Sequence, residues 1–131
     1  MSLPELFPLP EHPAVPLNPA MGKVWFVGAG PGDPELITVK GRSLIERAGA
    51  ILFAGSLVSE AATRWAPDDC VVLDSKDMTL EEMSAWLIEQ AARCRVVVRL
   101  QTGDPGLYGA LIELVQPLDA AGIALEVVPG V

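Results

Sequence analysis

Histidine and cysteine are scarce in this chain of 131, with one His, His12, and two Cys, Cys70 and Cys94. A Ser-His-Asp triad or a His-based metal centre needs imidazoles, so both are nearly excluded. The two cysteines stand far apart without metal-ligand spacing. That argues against a disulfide framework and for two buried thiols in a reducing, cytoplasmic setting. Basic residues are also few: nine Lys and Arg face 17 Asp and Glu, for a net charge of −8. Such an acidic surface disfavours nucleic acid, whose phosphates dominate affinity, and anionic membrane surfaces. An anionic small molecule is not excluded, because it needs only a local basic cluster. No segment approaches the roughly 18 apolar residues of a membrane span, and no signal peptide is visible.

What is abundant is apolar residues, at 50%, together with 12 glycines and 12 prolines. The length and apolar fraction fit one domain with a sizeable core. Pro4, Pro8, Pro10, Pro13, Pro16 and Pro19 crowd the first 22 residues. Helix and central strand are impossible at that density, so residues 1–22 are expected to be an extended or disordered leader to a domain over 23–131.

From there the pattern alternates. Lys23 to Val27 is a short, almost continuous apolar run, as a strand buried on both faces requires. Thr38 can cap a helix to about Ala48, with Gly49 ending it. Ile51 to Ala54 is a second strand, and Ser59 caps a short helix that Pro67-Asp68-Asp69 terminates. Cys70 to Leu73 is a third strand. Thr79-Leu80-Glu81-Glu82 is a capping box that opens a helix carrying Met83, Trp86, Leu87 and Ala91 toward a core. Val96 to Leu100, a helix from about Leu107 to Ala121 closed by Gly122, and Leu125 to Val128 complete the series. The order predicts an α/β fold, a parallel sheet of about five strands with flanking helices, and ligands at the carboxyl ends of the strands.

Two loops at that end repeat a motif: Gly28-Ala29-Gly30-Pro31-Gly32-Asp33-Pro34 and Gly103-Asp104-Pro105. A dinucleotide fingerprint needs G-x-G-x-x-G with amides aimed at pyrophosphate. Here Pro31 removes an amide donor, Asp33 puts negative charge where phosphate would sit, and Gly55-Ser56 replaces the ribose-binding acid. A P-loop lacks its Gly-Lys-Ser/Thr. A nucleophilic enzyme on Ser56 or Cys70 lacks a nearby base. A purely structural role, with Asp capping and Pro in the first helical turn, stays open.

The stretch Val24 to Gly41 resembles the opening signature of the tetrapyrrole (corrin/porphyrin) methylases. Val98-Arg99-Leu100-Gln101-Thr102-Gly103-Asp104-Pro105 resembles their second motif, and Val128-Pro129-Gly130-Val131 the start of their third. Ala54-Gly55-Ser56-Leu57-Val58 and Asp77 to Met83 are similar to the branch that methylates carbon 11 of a corrin precursor. Gln101 and Gly106 depart from that branch's usual residues. The resemblance implies S-adenosylmethionine as methyl donor without a metal, a corrin-type tetrapyrrole substrate, and a homodimer when full-length. It places the donor between two α/β domains, of which this chain carries the N-terminal one, so the chain alone is expected to bind it weakly. By the family pattern Pro31, Thr102, Gly103, Asp104, Leu107 and Tyr108 would line the donor site. Gly30, Asp33, Lys40, Ser56 and Arg99 would face the substrate, with Arg42 and Lys76 as further basic candidates. Two alternatives remain: another C-methyltransferase of the family, and a non-catalytic stand-alone domain.

Overall fold

A computed structural model describes residues 21–29, 37–54, 64–102 and 108–128. Strands and helices alternate along the chain: β1 (Lys23–Ala29), α1 (Val39–Arg47), β2 (Ala50–Phe53), β3 (Val71–Asp74), α2 (Leu80–Ala91), β4 (Val96–Thr102), α3 (Tyr108–Ala120) and β5 (Leu125–Val128). All five strands pair in parallel, in the order β3-β2-β4-β1-β5.

A parallel sheet must be covered on both faces, and side-chain alternation along β1 shows how this one is. Val24 and Phe26 point into one layer with Leu52, Val97, Leu87, Leu114 and Leu118, beneath α2 and α3. Val27 points into the other with Ile51, Phe53, Val98, Leu100, Leu44 and Ile45, beneath α1. Burying side chains such as Phe26, Ile51 or Leu100 contributes about 1.5–3 kcal/mol each, so these two layers hold the sheet. Met21 lies against the α2/α3 layer, and Gly22 N donates to the Ala91 carbonyl at 2.6 Å.

Several expected boundaries move. Gly28 and Ala29, expected as loop, belong to β1, where they pair with Gln101 and Thr102 of β4. β2 begins at Ala50 and stops before Ala54, whose N–H still donates to the Leu100 carbonyl at 3.2 Å. β3 runs one residue later than expected and lies at the sheet edge, which leaves Val71 and Val72 exposed. The start of the short helix expected after Ser59 lies outside the described residues; Arg64 and Trp65 form a 3₁₀ turn, and the turn that follows is present, with Cys70 N donating to the Pro67 carbonyl. Both cysteines, expected to be buried, are half-buried free thiols.

Gly49 does not end α1 as a left-handed cap. Ala48 caps that helix, and Gly122, after α3, is the one glycine at positive φ (75°) among the described residues. Gly49 is required by a close approach instead. A Cβ there would meet Cys94 Sγ at 2.7 Å, while the Gly49 backbone bridges Val96 and Val71.

Candidate functional site

The strand order places a crevice. β1 and β4 are neighbours, yet the helices that follow them leave on opposite faces: α1 covers one layer, α3 the other. In an open parallel sheet, diverging connections at adjacent strands open a gap at the carboxyl edge, where ligands bind. The segments leaving β1 and β4 there carry the two Gly-Asp-Pro motifs, which are far apart in sequence. The register sets the ends of the two strands that lead into them side by side, with Ala29 opposite Thr102.

Of the residues expected at the site, Gly30, Pro31, Asp33, Ser56, Gly103, Asp104 and Leu107 lie outside the described residues. Thr102 closes β4 and Tyr108 opens α3, one on each side of the second motif. Lys40 sits in the first turn of α1. That turn is set by Thr38, whose Oγ1 accepts from Gly41 N at 3.0 Å. The Lys40 ammonium lies 3.8 Å from Glu126 Oε2 and 5.5 Å from the centre of the Trp25 ring. Lys23 shares both partners, at 3.5 and 4.1 Å. The cross-strand pair Trp25 and Glu126 thus gathers two ammonium groups beside the edge strand β5.

Arg99 has a different place. It projects from β4 into the α2/α3 side of the sheet at 8% exposure, and its Nη1 donates to Ser75 Oγ at 2.8 Å. Ser75 follows β3; its hydroxyl and its N–H both donate to the Phe53 carbonyl, at 3.2 and 2.8 Å. These bonds tie the carboxyl ends of β2, β3 and β4 together. Burial pushes the Arg99 pKa down from the usual guanidinium range to about 10, and the charge of nearby Asp74 partly restores it. Its Nε is buried without a hydrogen-bond partner. Lys76, by contrast, is exposed, with its N–H bonded to Asp74 Oδ1 at 2.9 Å.

Sequence reasoning overlooked Arg64 and Trp65. They stand before β3, and the Trp65 ring lies 4.6 Å from the Arg42 guanidinium and 5.5 Å from that of Arg64. Arg42 was singled out only as one of several basic residues, and no spacing in the chain linked it to Trp65. Among the described residues no three His, Cys, Asp or Glu side chains cluster as a metal site would, and no helix is long and apolar enough to cross a membrane.

Residues 23–131 match the family model of the Tetrapyrrole (Corrin/Porphyrin) Methylases. The chain is 46% identical over 109 residues to the cobalt-precorrin-4 C(11)-methyltransferase of Methanocaldococcus jannaschii, covering 83% of this chain and 42% of that protein. It is 44% identical over 108 residues to the precorrin-4 C(11)-methyltransferase of Mycobacterium tuberculosis, covering 82% of this chain and 43% of that one. The fold matches the X-ray structure of a cobalamin biosynthetic enzyme, cobalt precorrin-4 methyltransferase, with TM-score 0.78 and 42% identity, over 90% of this chain and 49% of that one. It also matches uroporphyrin-III C-methyltransferase from Thermus thermophilus complexed with S-adenyl homocysteine, with TM-score 0.69 and 40% identity, over 84% of this chain and 45% of that one. The chain spans less than half the length of these relatives.

Proposed function

This chain belongs to the tetrapyrrole (corrin/porphyrin) methylase family, and we propose that the protein transfers a methyl group from S-adenosylmethionine to carbon 11 of precorrin-4 or cobalt-precorrin-4. The observation that carries this reading is that β1 and β4 lie side by side with the helices after them on opposite faces, and that in sequence each of the two strands leads into a Gly-Asp-Pro motif. A relative solved with S-adenyl homocysteine, the demethylated donor, supports the choice of donor.

When bound, the donor supplies a sulfonium that is already a strong electrophile, so the protein's share of the catalysis is alignment and exclusion of water. In this reading Pro31, Thr102, Gly103, Asp104, Leu107 and Tyr108 hold the donor, and Asp104 accepts a hydrogen bond from it. Gly30, Asp33, Lys40 and Ser56 face the macrocycle. Arg99 enters through Ser75, by fixing the strand ends below the crevice. The full-length protein acts as a homodimer.

Product mass after incubation of the full-length protein with S-adenosylmethionine and precorrin-4, cobalt-precorrin-4 or their neighbours tests the reading. One added methyl at C11 is expected; methylation of another tetrapyrrole alone reassigns the protein within the family, where a uroporphyrinogen-III C-methyltransferase of Synechocystis is 42% identical. Asp104→Ala is expected to weaken donor affinity about tenfold to a hundredfold, the loss of a hydrogen bond to a charged group. An unchanged affinity removes Asp104 from the site.

A further inference from the structure

The cleft beside the start of α1 has a composition that the rest of the acidic chain does not prepare for. Its described lining is Ile37, Thr38, Val39, Arg42, Arg64 and Trp65, around about 420 Å³. None of these is acidic, although the chain carries 17 Asp and Glu against nine Lys and Arg. Arg42 pairs with Glu46 at 3.8 Å from Nε to Oε2, beyond hydrogen-bond range, and among the described residues no hydrogen bond engages the Arg42 or Arg64 guanidinium. Both lie against the Trp65 ring. Contact with an aromatic ring holds a guanidinium while leaving its N–H edge available, and that edge matches a carboxylate in a two-pronged fit. Val39, 88% exposed at the rim, adds an apolar lip.

We propose that Arg42, Arg64 and Trp65 form an anchoring subsite for a side-chain carboxylate of the macrocyclic substrate, with Val39 against the ring edge. The proposal rests on the functional reading above, which makes the substrate a tetrapyrrole polyacid, and deepens it by assigning a carboxylate to these residues. The cleft volume lies in the range of small-ligand pockets, room for one acidic arm and the adjoining ring edge. Two orienting cations set on one indole fix where that arm sits and so turn the macrocycle relative to the β1–β4 crevice. Glu46 bounds the subsite on the helix side, and among the described residues the net charge is about one positive unit, enough for a carboxylate and unfavourable to an ammonium.

Titration of chain 1–131 with uroporphyrin III, an octacarboxylate tetrapyrrole, followed by its visible absorption, tests this. Saturable binding is expected, weakened about tenfold in R42Q/R64Q and in the wild type with the octamethyl ester, which keeps the ring and loses the charge. Both arginines are solvent-facing, so the variant is expected to keep the wild-type far-UV circular dichroism; W65L, which keeps both charges and removes the platform, provides the second variant and is expected to weaken binding as well. Equal affinity in R42Q/R64Q and wild type overturns the subsite, as does the absence of saturable binding by the wild-type chain. Neither outcome touches the methyl-transfer assay, which judges the functional reading on its own.

Discussion

Arg99 and Ser75 show how a charged residue within a signature motif can be buried to tie strand ends together. The guanidinium gives up hydration to reach Ser75 at 2.8 Å, and the low pKa of about 10 records that cost. Ser75→Ala would leave Nη1 buried without its Ser75 partner and remove the hydroxyl's bond to the Phe53 carbonyl, while the backbone N–H bond to that carbonyl stays. The expected loss is about 1–3 kcal/mol in urea unfolding, against little change for Ser75→Thr, which keeps the hydroxyl. Cys70 offers a test in pH. Burial, reinforced by Cys94 and Asp69, raises its pKa from 9.0 to about 11. Between those values the unfolded thiol loses its proton while the folded one keeps it. Stability from this group is therefore complete below pH 9 and falls as pH rises toward 11. Thermal midpoints of the wild type are expected to fall more steeply through that window than those of Cys70→Ser, and iodoacetamide should modify Cys70 more slowly at pH 8 than a free cysteine peptide.

Among the elements, α2 was the most legible from residues alone. Its capping box forms as the Thr-x-x-Glu spacing requires, with Thr79 Oγ1 accepting from Glu82 N at 3.1 Å and Glu82 Oε1 accepting from Thr79 N at 3.0 Å. Thr79→Ala is expected to cost about 1 kcal/mol, read as a lower urea midpoint at unchanged slope. Leu87 and Ala91 are fully buried as expected, with Met83 and Trp86 packed at the margin of the same layer. The end of α1 was not legible in the same way. A glycine after a helix can mark a left-handed cap or a close approach, and the deciding neighbour, Cys94, lies 45 positions away, beyond two strands and a helix. β1 was underestimated for a related reason: Gly28 has no β preference of its own and is strand because β4 pairs with it. α3 continues through Pro117, which cannot donate to the Glu113 carbonyl; Glu113 is exposed, so solvent can satisfy that group.

For the molecule as a whole, the donor site is proposed between two α/β domains, and the chain spans less than half the length of the relatives it matches. Calorimetric titration of chain 1–131 with S-adenosylmethionine is expected to show a dissociation constant no tighter than about 1 mM, a binding free energy of only about 4 kcal/mol. Micromolar binding would mean that the β1–β4 crevice holds the donor alone. By itself the sequence determined the α/β class, the five strands and three of the helices, because apolar periodicity, caps and turn residues act over a few positions. It also carried the three motifs that mark the family, since those are short and ordered along the chain. Only the tertiary structure decided that β1 and β4 are neighbours, that α1 and α3 leave them on opposite faces, and that Arg42, Arg64 and Trp65 share one cleft. It also buried Arg99 against Ser75. Those facts depend on which strands pair and how helices pack on them, contacts between distant residues that no local pattern encodes.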